Sequence, residues 1–164
     1  MKDVKIQDDF LEQNYFNKFI KLSGGEFCPY FIQNHVNSVD DNHFQMTHTI
    51  YTDWAPRSDL YSELGPLFQK LNMFTLLRCK INLLPRTDKV IEHGFHIDIE
   101  DGFDRCKTAV LYLNTNNGYT LFEDGTKVES VANRLVTFNN STKHSGSTNT
   151  CDEPYRLVLN LDYI

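Results

Sequence analysis

From residue 74 onward the chain is a series of short β-rich runs separated by tight turns, with no helical stretch between them. The runs cover 74–84, 95–99, 108–113, 119–123, 135–138 and 155–161, and turn formers such as Asn116-Asn117-Gly118 and Asp124-Gly125 stand between them. Parallel strands need crossover connections of about a dozen residues or more, usually helical, and this part of the chain has none. A doubly wound α/β sheet is thereby excluded, and a β-sandwich or barrel is predicted. The 12 Phe and 8 Tyr supply large side chains for such a core.

The preceding part reads differently. Residues 8–22 place Phe10, Leu11, Tyr15, Phe19 and Leu22 mostly three or four apart, which predicts an amphipathic helix stopped by Gly24-Gly25. A strand is expected over 45–52, then a second helix over 59–71 capped by Ser58, with Leu60, Leu64, Leu67, Phe68 and Leu71 on one side. The expected fold is mainly β within the α+β class: a double-stranded β-helix, or jelly roll, with N-terminal helices packed on one sheet. At 164 residues and without a linker or repeat, the chain reads as one domain over 1–164. Residues 1–77 form mixed helical support and 78–164 the core.

Charge and composition exclude several functions. The formal net charge of −6 argues against a high-affinity duplex-DNA binder, which normally shows a basic face. No segment approaches the roughly 20 apolar residues of a membrane span, and the start, Met1-Lys2-Asp3-Val4-Lys5, opens no apolar signal stretch. Cys28, Cys79, Cys106 and Cys151 are widely spaced and form no Cys-x-x-Cys pair, as expected of reduced structural thiols. A cytoplasmic protein without a membrane partner is expected.

Three features carry chemistry. In the run GFHIDIE, His96 and Asp98 are two apart, so a strand would project imidazole and carboxylate from one face and leave Phe95, Ile97 and Ile99 for the core. His144 follows the run RLVTF in a polar loop. Arg156 opens the last apolar run, YRLVLNLDY, where period two puts Arg156, Val158 and Asn160 on one face and Leu157, Leu159 and Leu161 on the other. A half-buried guanidinium needs an anion, either an internal acid or a bound carboxylate. Two histidines and one carboxylate form a ligand set that leaves three positions of an octahedral Fe(II) open.

Over 78–163 the wording resembles the 2-oxoglutarate/Fe(II)-dependent oxygenases, in their prolyl 4-hydroxylase-like branch. The resemblance rests on RCKINLLP, HGFHID, TAVLYLNTNNGYTLF, NRLVTFNNSTKHSG and EPYRLVLNLDY. It implies His96, Asp98 and His144 as iron ligands and Arg156 as the cation for the distal carboxylate of 2-oxoglutarate. It also implies Tyr112 and Asn82 as further cosubstrate contacts, though a structural Tyr and a strand-edge Asn are equally good readings of those two. Leu84 departs from the family, whose members often carry Tyr there. The implied cofactors are Fe(II), 2-oxoglutarate and O2, with ascorbate as a candidate reductant. The implied reaction hydroxylates a substrate while 2-oxoglutarate becomes succinate and CO2.

A prolyl or other side chain of a protein or peptide is the first-ranked substrate. A nucleobase, oxidised or demethylated, is the alternative, disfavoured by the net charge, and a small metabolite comes third. A non-enzymatic jelly-roll module and a cupin-like zinc or manganese enzyme are the rivals from other classes, the latter leaving Arg156 to an internal acid. Of the other histidines, His93 is expected to face away from the pair, and His35 and His43 to lie at the surface. His48 and Tyr51 are candidates for a substrate cleft, and Trp54 and Arg57 for a lid. Oligomeric state stays open.

Overall fold

Asp124-Gly125 turns the chain as its composition predicts. In the computed structural model Gly125 has φ +87°, Asp124 Oδ1 accepts from Thr126 N at 2.9 Å, and two backbone bonds join Phe122 to Gly125 and Thr126. Strands β7 (Tyr119–Phe122) and β8 (Lys127–Glu129) meet across this turn. The structure describes residues 4–24, 28–36, 43–99 and 105–164. Gly25, in the expected helix stop, and Glu100, ending the GFHIDIE run, lie outside them.

The described elements run β1 (Lys5–Gln7), α1 (Gln13–Ser23), β2 (Phe31–Gln33), β3 (Gln45–Thr52), β4 (Ala55–Pro56), a 3₁₀ turn (Asp59–Leu64), α2 (Gly65–Leu71), β5 (Leu76–Pro85) and β6 (Lys107–Tyr112). After β7 and β8 come β9 (Leu135–Asn139), β10 (His144–Gly146) and β11 (Tyr155–Tyr163). The large sheet has the order β1-β9-β6-β11-β5-β3-β2 with β4 on β3, and the small one the order β10-β7-β8. All pairings are antiparallel. The architecture is mainly β, two antiparallel sheets with few helices, which is consistent with the jelly roll expected.

Helix α1 starts at Gln13, later than the expected residue 8, and Glu12 caps it: its carboxylate accepts from Tyr15 N at 2.9 Å. Ser58 caps its segment as expected, but six residues of 3₁₀ turn precede α2, where Pro66 opens the α-helix. Phe16 and Phe19 of α1 and Leu60, Leu64 and Leu67 share one buried cluster with Cys79, Ile81, Leu111, Leu157, Leu159 and Leu161 of the large sheet. A second cluster, Val110, Tyr112, Phe122, Val128, Val136, Phe138 and Val158, lies on the opposite face. The alternation expected for the last strand therefore holds, and every second residue of β5 and β11 is left for the interior between the sheets. The four cysteines are free thiols, and no described helix is long and apolar enough to cross a membrane.

Asn133 ties the N-terminal segment to this core. It has φ +64°, its Oδ1 accepts from Leu11 N at 2.8 Å, and its Nδ2 donates to Leu11 O at 2.9 Å. Asn133→Ala removes both buried bonds and strains the left-handed backbone, an expected loss of about 2–4 kcal/mol in chemical denaturation. Asn133→Gly should recover the backbone part alone.

Candidate functional site

The segment before the first histidine is not a regular strand. It meets the segment after β9 through isolated bridges, Glu92 with Ser147 and His96 with His144. In the second, each backbone N–H donates to the other residue's carbonyl at 3.0 Å. That reciprocal pair sets the two imidazoles side by side, their centroids 4.6 Å apart. The Nδ1 of His96 lies 3.2 Å from Gly94 O and that of His144 lies 3.2 Å from Thr142 O. A carbonyl only accepts, so each Nδ1 carries the proton and each Nε2 keeps its lone pair for the cavity.

Asp98 closes the group. Its Oδ2 lies 3.3 Å from His144 Nε2, its Oδ1 lies 3.9 Å from His96 Nε2, and the three potential ligand atoms fall within 4.8 Å of one another. Oδ1 accepts from Arg78 Nη2 at 2.5 Å, whereas Oδ2 is buried and receives no hydrogen bond. A buried carboxylate oxygen left bare is costly unless something electrophilic meets it. Two imidazole nitrogens and one such oxygen suit a divalent first-row metal with open positions.

Arg78 holds this carboxylate through a second acid. Its Nε donates to Asp162 Oδ2 at 2.9 Å, and Asp162 Oδ1 accepts from Thr108 Oγ1 at 2.9 Å. Burial and the charge of Asp98 push the Asp162 pKa up to about 6, against the pull of Arg78 and Thr108. Burial acts upward on Asp98 too, but His144, Arg78 and His96 outweigh it and hold that carboxyl well below the usual range. The His96 pKa is lowered by burial and by His144, which favours the neutral, metal-binding imidazole.

Arg156 lies further along the same cavity, which measures about 690 Å³. It is 2% exposed; Nε donates to Ser130 Oγ at 2.7 Å and Nη2 to Thr120 Oγ1 at 3.3 Å. No carboxylate of the described residues pairs with it, so an internal acid does not explain this arginine. Tyr112 supports it from below: the guanidinium sits 5.4 Å above the ring, and the hydroxyl donates to Val128 O and lies 2.8 Å from Thr120 Oγ1. Tyr112 is fully buried and is not part of the cavity wall, whereas Asn82 is. Gly118 makes the room: a Cβ there would lie 2.6 Å from Arg156 Cδ.

Several neighbours depart from expectation because residues 91–98 are irregular. His93 lines the same cavity and is 5% exposed, and Phe95, 47% exposed, and Ile97 line it instead of joining the core. His48 lies outside the cavity wall; its ring nitrogens meet Pro29 O at 2.7 Å and Ser58 Oγ at 2.6 Å. Tyr51 stacks on Tyr61, and Arg57 pairs with Asp53 on the surface. Sequence reasoning missed Arg78, although the period-two reading applied to β11 would have aligned Arg78, Lys80 and Asn82 on one face of RCKIN.

Compared by sequence, no family model and no curated protein matches the chain. Solved structures do. A 2OG-Fe(II) oxygenase family oxidoreductase from Burkholderia pseudomallei aligns with TM-score 0.72 at 14% identity, over 99% of this chain and 85% of that one. A Pseudomonas putida prolyl-4-hydroxylase aligns with TM-score 0.63 at 20% identity, over 98% and 92%. A Trichoplax adhaerens prolyl hydroxylase, in complex with a peptide fragment of the hypoxia inducible factor oxygen degradation domain, aligns with TM-score 0.66 at 14% identity, over 99% and 83%. At these identities the likeness is one of fold, and it is the fold of the superfamily and branch that the sequence resembles.

Proposed function

We propose that this chain, built on the fold of the 2-oxoglutarate/Fe(II) oxygenases, is a single-domain dioxygenase over residues 1–164. It hydroxylates a protein or peptide side chain, a prolyl first, as 2-oxoglutarate is converted to succinate and CO2. One observation carries the reading: the bare Asp98 Oδ2, flanked by two imidazole nitrogens, shares a cavity with an arginine that has no acid partner among the described residues. His96, Asp98 and His144 would hold Fe(II), which with its cosubstrate supplies the oxidising chemistry.

The protein's own part is positioning. The backbone bridge fixes the imidazoles, Arg78 leaves one Asp98 oxygen free, and Arg156 presents its fork to a carboxylate from a buried position. Phe95, Ile97 and Val36 give the cavity an apolar wall against which a substrate side chain can pack. A peptide substrate is supported by the Trichoplax enzyme, whose structure holds a peptide.

The test is anaerobic addition of Fe(II) and then 2-oxoglutarate to metal-free protein, followed in the visible. A weak metal-to-ligand charge-transfer band is expected, and once O2 is admitted succinate release should quicken with prolyl peptides. Iron binding without the band would refute the 2-oxoglutarate part; no iron binding would refute the whole. Gly118→Ala should push Arg156 from its seat and weaken 2-oxoglutarate about tenfold or more, with Fe(II) affinity unchanged in the same titration.

A further inference from the structure

Register lays the cavity floor out as a grid. Strands β5 and β11 pair Arg78 with Asp162, Lys80 with Asn160, Asn82 with Val158 and Leu84 with Arg156. The His/Asp group is attached at the first row through Arg78, and Arg156 stands at the last. Between them lie Lys80, Asn82 and Asn160, all part of the cavity wall.

None of these three side chains has a hydrogen-bond or ion-pair partner among the described residues. Asn82 and Asn160 are 8% and 9% exposed, and the Oδ1 of each is buried without a hydrogen bond. Lys80 makes no hydrogen bond or ion pair among the described residues. The other cavity cations are accounted for differently: Arg78 is shared by two aspartates, and Lys143 lies 3.4 Å from Glu123 at an exposed position. Lys80 cannot turn away, because Cys79 and Ile81 on either side are fully buried in the opposite core and fix the face it takes. Burial and the Arg78 charge lower its pKa, and the pull of Asp98 and Asp162, neither of which pairs with it, does not offset them.

Two cations of the cavity therefore form no ion pair with an acid of the described residues, and they stand two rows apart. From Asn160, beside Lys80, to Arg156 is four residues, about 13 Å along the strand, and two long side chains can converge across it on the ends of one short dicarboxylate. We propose that Lys80, with Asn160 and Asn82 beside it, is a second anion seat that takes the keto-acid end of the cosubstrate, while Arg156 takes the distal carboxylate. The inference rests on the oxygenase reading above and adds to it residues that set cosubstrate affinity. The amides supply donors and acceptors for the polar atoms between the two ends.

The experiment is calorimetric titration of anaerobic, Fe(II)-saturated wild type, Lys80→Met and Lys80→Arg with 2-oxoglutarate and with 2-oxopentanoate, which lacks the distal carboxylate. Lys80→Met should weaken both ligands by about 10–100-fold, the worth of a charge-assisted hydrogen bond. Lys80→Arg should restore most of the loss, and Arg156→Met should weaken 2-oxoglutarate but not 2-oxopentanoate. Thermal midpoints of the metal-free variants check folding; Met matches the length of Lys and removes a half-buried charge that pairs with no described acid, so no decrease is expected. Unchanged affinity for both ligands in Lys80→Met overturns the seat, and loss for 2-oxoglutarate alone overturns its assignment to the keto-acid end. Titration without metal separates the two ideas. If wild type fails to bind iron, the oxygenase reading falls, while 2-oxoglutarate affinity that still depends on Lys80 upholds the seat.

Discussion

Asp98→Ala abolishes Fe(II) binding in the metal-free protein while leaving it folded. The carboxylate offers its buried Oδ2 between the two Nε2 atoms, and no other acid of the described residues joins that group. Losing an outer-shell partner typically costs a metal site about 10–100-fold in affinity, and the loss of one of three protein ligands should exceed that. Equilibrium dialysis against Fe(II), with circular dichroism to check folding, reads the result. Arg78 keeps Asp162 as its partner in the variant, so the guanidinium is not stranded. Binding of Fe(II) within threefold of wild type would remove Asp98 from the site and the oxygenase reading with it.

Arg156→Met is expected to separate ligand binding from stability in a way few buried substitutions do. In the free protein the guanidinium is buried among Ser130, Thr120 and the Tyr112 ring with no acid of the described residues beside it, and burial lowers its pKa. Replacing an uncompensated buried charge by an apolar side chain of similar length is usually neutral or stabilising, so the thermal midpoint without ligand should not fall. Affinity for 2-oxoglutarate should fall by about 30–1000-fold, corresponding to the 2–4 kcal/mol lost when one partner of a buried charge pair is truncated. Fe(II) binding should be unaffected, since the triad is held by its own bridge and by Arg78. A large loss of stability with unchanged 2-oxoglutarate affinity would make Arg156 purely structural.

Much of this site is legible in the residues. Alternation along YRLVLNLDY places Arg156 and Asn160 on the face opposite the leucines, and the sheet keeps that parity because a slip would turn Leu157, Leu159 and Leu161 out of a fully formed core. The same rule on RCKINLLP aligns Arg78, Lys80 and Asn82. The rule misleads around His96, where period two predicts buried Phe95, Ile97 and Ile99 and a His93 that faces away from the His96/Asp98 pair. There the backbone touches its neighbour only at isolated bridges, so no continuous ladder enforces alternation, and His93, Phe95 and Ile97 all reach the cavity. Tyr112 shows another limit: its parity is right for the interior between the sheets, but the small sheet's Thr120 and Val128 engage its hydroxyl.

What the sequence by itself determined is local and periodic. It set the antiparallel β architecture through its turns and missing crossovers, the facing of β5 and β11 through apolar alternation, and the residue types able to hold a metal and a carboxylate. What only the tertiary structure decided is which groups, far apart in the chain, meet and which are left without a partner. The pairing of His96 with His144, the division of Arg78 between Asp98 and Asp162, and the isolation of Lys80, Asn82, Asn160 and Arg156 all depend on register between strands tens of residues apart. Alternation is a property of one strand, whereas the satisfaction of a buried polar atom depends on every element packed around it.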